Sequence, residues 1–179
     1  MSNSRFSILL ASLSLSLPVF AVLRLVLLIK QSAEIDSPVY QIIEAFLLGI
    51  ISDLSFFSYF FIPFVLYLTL LPQRIYQSRW HKGFIYLILF INIYALLFIA
   101  ASEWFFWDEF GVRFNFIAVD YLVYTNEVVR NIVESYPLPK ILTAIFIVSS
   151  LCFWGLLKLA GIDLNINEDF TSRLKIAGC

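Results

Sequence analysis

Uncharged stretches dominate the chain and are separated by short segments that hold nearly all of its charge. Phe6 to Leu23 is uncharged, and Leu25 to Ile29 continues the run past Arg24. Ala45 to Ser52 and Leu54 to Leu71 form a second run broken only by Asp53, while Gly83 to Ser102 and Ile141 to Leu157 form a third and a fourth. About 20 apolar residues at a rise of about 1.5 Å cross a hydrocarbon core of about 30 Å. The pattern predicts an all-α polytopic membrane helix bundle with four spans, near residues 6–30, 41–71, 83–103 and 141–159. None of the runs alternates with a period of two, so a transmembrane barrel is not expected.

The second span is longer than a crossing requires, because its 31 residues reach about 46 Å as a helix. It must tilt, kink near Pro63, or begin as a helix outside the core. The first run is too long for the apolar region of a signal peptide and continues to Ile29, which predicts a retained span rather than a cleaved leader.

Composition changes the picture by exclusion. At 61% apolar and 14% charged, the chain cannot cover itself with a water-compatible surface. Its apolar content is too high for disorder. Six Gly, six Pro and two Cys rule out collagen-like and disulfide-stapled classes, and a net charge of −1 offers no basic stripe, so no nucleic-acid partner is expected.

The distribution of charge among the loops predicts threading. The 72–82 loop carries Arg74, Arg79, Lys82 and His81 with no acid, which makes it cytoplasmic. The N-terminus with Arg5 then lies inside as well, and the 30–40 loop with Glu34 and Asp36 lies outside. The extracytoplasmic segment 104–140, entered from Glu103, is acidic, and the 161–179 stretch with Arg173 and Lys175 returns to the cytoplasm. That last stretch reads as the basic lead-in to a further span, following a bundle over 1–160. His81 reads most simply as a solvated loop residue, and Cys152 as a packing residue.

The segment after span three is the most informative. Glu103 to Phe110 interleaves aromatic residues with carboxylates, a pattern suited to the membrane–water boundary or, alternatively, to a binding role. From Phe116 to Glu134 the periodicity is helical. Asp120, Tyr124, Glu127, Asn131 and Glu134 share one stripe, and Ala118, Leu122, Val129 and Val133 lie opposite. An amphipathic extracytoplasmic helix is expected, with an acidic polar face and an apolar face suited to packing on protein. Tyr136-Pro137-Leu138-Pro139 then interrupts it before span four. The carboxylates read as a solvated face: Asp120 and Glu127 stand about 10 Å apart along a helix axis, too far to share one ion or one substrate atom. No metal, cofactor or catalytic pattern is present.

Two charges interrupt otherwise apolar runs, Arg24 and Asp53. A lone intramembrane charge costs at least about 2.5–3.5 kcal/mol, so each needs a partner, water or headgroups. The two form a candidate interhelical ion pair; the alternative has Arg24 snorkelling outward alone. Ser52, Ser55 and Ser58, with Gly49, place small residues along span two, which permits close helix contact.

The run Glu109-Phe110-Gly111-Val112-Arg113-Phe114-Asn115-Phe116-Ile117-Ala118-Val119-Asp120-Tyr121-Leu122-Val123-Tyr124, then Thr125-Asn126-Glu127-Val128 and Glu134-Ser135-Tyr136-Pro137, resembles the membrane region of bacterial sulfatase-like proteins. These include lipoteichoic acid synthases and related phosphoglycerol transferases of the alkaline phosphatase superfamily. Arg24 and the Gly49-x3-Asp53 pattern fit the same resemblance. It implies a bacterial cytoplasmic (inner) membrane protein with five spans and then an extracytoplasmic catalytic domain. That domain would use a threonine nucleophile and a manganese-like divalent metal to transfer or hydrolyse lipid-borne headgroups. All of the family's catalytic and metal-binding residues lie beyond Cys179, so none is carried over. On this resemblance the chain is the enzyme's membrane anchor, inactive alone, with membrane lipid and its own C-terminal catalytic domain as partners. Glu109, Arg113, Asn115, Asp120, Tyr121, Tyr124 and Glu127 would then form the docking surface. A different reading is a complete small polytopic protein, such as a transporter or partner subunit, using Arg24 and Asp53 along a polar path.

Overall fold

The computed structural model describes residues 4–32, 35, 37–113, 130, 132–160, 164 and 166–178. Its regular elements are helices: α1 (Ser7–Lys30), α2 (Val39–Leu70), α3 (Gln73–Tyr76), α4 (Arg79–Phe110), α5 (Leu138–Ala160) and α6 (Phe170–Ala177). No strand occurs among the described residues. Four of the helices, α1, α2, α4 and α5, are long and apolar enough to cross a membrane, as a multi-pass protein requires.

Local chemistry sets the helix ends. Pro38 and Pro72 precede α2 and α3, where a residue without an N–H leaves no helix bond unmade. Ser78 caps α4, its hydroxyl accepting from the His81 N–H at 3.2 Å. Gly111 ends α4 with φ +65°, a left-handed conformation that glycine adopts without a Cβ penalty, and its N–H donates to the Trp107 carbonyl at 2.8 Å. Pro139 falls in the first turn of α5, so the Pro137–Pro139 stretch both interrupts the chain and starts the next helix.

The packing is centred on α4, which lies against α1 and α5. One stripe of α4, from His81 through Ile85, Leu89 and Ile93 to Leu96, is buried. It meets Phe6 and Ile8 from the start of α1, Leu68 from the end of α2, and Tyr76 and Leu164. Ser12 adds a polar contact, its hydroxyl donating to Asn92 Oδ1 at 2.7 Å. By contrast α2 leans on α1 and α6 and leaves most of its surface uncovered, including a ladder of neighbouring rings over Phe56, Phe60, Phe61 and Phe64. Such a face suits hydrocarbon, where packing rather than exclusion of water holds helices together.

The structure departs from the sequence reading in several places. Span three is longer than 83–103 at both ends, because the capped Ser78 starts it and the aromatic run to Phe110 continues it as helix. His81 is not a solvated loop residue: it sits buried in the first turn of α4, with Nδ1 against the Tyr76 carbonyl at 2.9 Å. Ser52, Ser55 and Ser58 lie on the exposed side of α2, each hydroxyl donating to the carbonyl one turn back, at 2.7–2.8 Å. Most of the amphipathic helix expected over 116–134 lies outside the described residues. Residues 132–135 are helical, and Arg130 pairs with Glu134 across one exposed turn at 2.9 Å.

Candidate functional site

The intramembrane charges meet. Arg24 Nη2 of α1 stands 2.6 Å from Asp53 Oδ1 and donates to the Gly49 carbonyl at 2.9 Å. Gly49 and Asp53 are four apart on α2 and therefore stack on one face. The guanidinium lies directly on the helix backbone: a Cβ at Gly49 would come within 2.6 Å of Arg24 Nε and 2.7 Å of Cζ. The side chains are 8% and 15% exposed, and Arg24 Nε and Nη1 and Asp53 Oδ2 are buried without hydrogen-bond partners. Opposite charge, rather than a full set of hydrogen bonds, keeps this arginine in place. Gly49→Ala is expected to push the guanidinium off its seat and cost about 1–3 kcal/mol, the range for overpacking. Thermal unfolding in nanodiscs would measure it, and the loss should disappear in an Arg24→Met background.

A second pair lies in the field of the first. Glu103 of α4 is 4% exposed. Beyond the Gly111 reversal, Arg113 turns back and grips it bidentately, Nε to Oε1 and Nη2 to Oε2, the latter at 3.1 Å. The Glu103 hydrogen bond is the main cause holding the Arg113 guanidinium above its ordinary pKa; burial opposes it, and the charges of Glu103 and Asp53 add to it. Arg24 and Asp53 thus join α1 to α2, and Glu103 and Arg113 join α4 to its own exit, each pair electrically neutral. At the same end, Lys30 pairs with Asp108 and stands 4.4 Å from the centre of the Trp104 ring, and Trp107 Nε1 donates to Gln31 Oε1 at 3.4 Å. The aromatic–acidic run is therefore the last two turns of α4, grasping the end of α1.

Of the candidate docking residues, Glu109 is exposed at the end of α4, and Arg113 is half-exposed but committed to Glu103. Asn115, Asp120, Tyr121, Tyr124 and Glu127 lie outside the described residues. Sequence reasoning missed Glu103 as a partner for Arg113. The signal was present in Gly111, which ends the helix and lets the next residues fold back.

The opposite end of the bundle holds two further buried arginines. The last carbonyls of α2 have no intrahelical donors, and no basic residue occupies its last turn. Arg5 and Arg173, distant in sequence, supply them. Arg5 Nη1 donates to Leu71 O at 2.8 Å and Leu68 O at 3.3 Å, and Arg173 Nη1 donates to Leu71 O and Thr69 O, both at 2.8 Å. Arg5 also bonds Gln73 Oε1 and stacks on Tyr76, its Cζ 4.1 Å from the ring centre. Gln73 in turn donates to the Ile166 carbonyl at 2.8 Å. Two cations at the negative end of a helix dipole are favourably placed. Burial, and then the charge of Arg173, pull the Arg5 guanidinium below its ordinary pKa, although Tyr76 and Glu168 act the other way. The stretch that reads from sequence as a basic lead-in to a further span contains the buried Arg173.

Chemically, both groups hold helices together. Among the described residues no three His, Cys, Asp or Glu side chains converge on a point that would hold a metal ion. The N-terminus, the 72–82 loop and the 166–178 stretch are joined at one end of the bundle, and the Lys30 and Arg113 neighbourhoods lie at the other. No family model, curated protein or solved structure matches the chain.

Proposed function

We propose that the chain is a membrane anchor whose task is to hold an outward-facing segment, and an enzymatic domain of sulfatase-like phosphoglycerol transferase type, at a fixed place above the lipid surface. The single observation that carries this reading is the Glu103–Arg113 grip. It fixes where the chain leaves α4, and that exit lies in the field of Asp53, which pairs with Arg24 between α1 and α2. An exit braced in this way suits positioning: an active site held in the plane of its lipid substrate meets it more often than one free in solution. Arg24 pairs with Asp53 between α1 and α2, and Lys30 with Asp108 between α1 and α4, an arrangement that favours an anchor over a conduit. By the positive-inside tendency, the Arg5 end with its basic loop faces the cytoplasm of a bacterial inner membrane and the Arg113 end faces outward.

Topology and gene context test the reading separately. In a Cys152→Ser, Cys179→Ser background, a membrane-impermeant maleimide added to intact cells is expected to label Glu109→Cys and to leave Arg79→Cys untouched. The opposite pattern would remove the anchor for an outward-facing enzyme. Downstream of codon 179, the reading frame is expected to encode a further apolar run and a sulfatase-like domain. A stop codon with nothing of that kind beyond it would favour a complete small membrane protein instead.

A further inference from the structure

An apolar groove of about 260 Å³ runs between α1, α2 and α4, walled by Leu9, Phe60, Phe64 and Ile88. Its polar lining comprises Ser12, Asn92 and Tyr67, and the Ser12 hydroxyl donates to Asn92 Oδ1. The α2 wall runs from Phe60 to Leu68 and the α4 wall from Phe84 to Asn92, each about 12 Å along its axis. That is close to half of a hydrocarbon core of about 30 Å, so the groove belongs to one leaflet, the one beside the 72–82 loop.

The chemistry beside that leaflet is cationic. Arg74 and Arg79 are exposed, and neither has an ion-pair partner among the described residues. The 72–82 loop contains no acid, and Glu168, an acid near that end, lies against the Arg5 backbone N–H at 3.5 Å. Trp80, 91% exposed, projects from the same turn, where an indole suits the headgroup boundary. An apolar slot one leaflet deep, on the half of the bundle that carries these unpaired arginines, matches a molecule with an acyl chain and an anionic head. We infer that the groove seats one acyl chain of an anionic phospholipid, whose phosphate is held by Arg79 and Arg74. The inference stands apart from the anchor reading and does not require a catalytic domain.

The test uses the full chain in nanodiscs of phosphatidylcholine with a minor share of phosphatidylglycerol, followed by detergent washing and mass spectrometry of the lipid retained. Phosphatidylglycerol is expected to remain bound while phosphatidylcholine washes away. Ile88→Trp, which fills the slot, is expected to lower retention by at least about tenfold, since each displaced methylene loses its contacts. Arg79→Gln is expected to lower it about fivefold, the worth of one surface cation. Leu87→Trp adds the same bulk on an exposed neighbouring position and is expected to retain the lipid. Retention of the two lipids in proportion to their share in the disc, or full retention by Ile88→Trp, overturns the inference. If Ile88→Trp does not fold, Leu9→Phe carries the same comparison.

Discussion

Asp53→Ala is expected to destabilise the folded bundle by about 3–5 kcal/mol, the cost of leaving one member of a buried ion pair without its counter-charge. The stranded group would be Arg24, whose Nη2 would keep only the Gly49 carbonyl and whose Nε and Nη1 already lack partners. Arg24→Gln is expected to cost a similar amount by stranding Asp53. The double variant, Arg24→Gln with Asp53→Ala, should lose far less than the sum, because it removes both desolvated charges together. Reversible unfolding in mixed micelles or nanodiscs, measured on all four members of the cycle, decides the matter. Strictly additive losses would mean that the 2.6 Å contact contributes no coupling.

The second large effect lies at the C-terminal end of α2. Arg173→Gln removes the donor shared by the Thr69 and Leu71 carbonyls and is expected to release α6 from α2. A hydrogen bond from a charged donor is worth about 1.5–3 kcal/mol, so losing even one of the two should shift the local opening equilibrium by about tenfold to about a hundredfold. Tryptic cleavage after Lys175 tracks that opening when reclosure is fast, and should accelerate by the same factor. Arg173→Lys should rescue part of the loss, since both bonds come from the one nitrogen Nη1 and an ammonium also carries several donors, though on a shorter arm. Unchanged cleavage in Arg173→Gln would show that apolar contacts alone retain the tail.

Which features could be read in advance follows from how local their causes are. The four spans were visible because each depends only on an uninterrupted apolar run, and the structure places helices there. Arg24 and Asp53 stood out because a charge inside such a run demands a partner, although sequence left two answers open. Gly49 belonged to a noted pattern, but its reason is three-dimensional: a guanidinium lying on the backbone where any Cβ would intrude. The burial of Arg5, His81 and Arg173 was illegible. Each sits in a polar or basic stretch, and each owes its place to carbonyls of other elements, brought near only when α2, α3 and the tail converge. The extension of α4 through Phe110 was obscured because Asp108 and Glu109 resemble a loop in composition, whereas their partners lie on α1 or in solvent.

The long helix α2 is fixed to its neighbours at Asp53 and again near Thr69, two fastenings about 24 Å apart along its axis. A strut held at two such points cannot lean independently when the surrounding bilayer thins or thickens. Any mismatch between its apolar length and the lipid must be met by rotating the whole assembly or by deforming the membrane nearby. Membrane thickness would thereby become a lever acting on everything attached to the bundle.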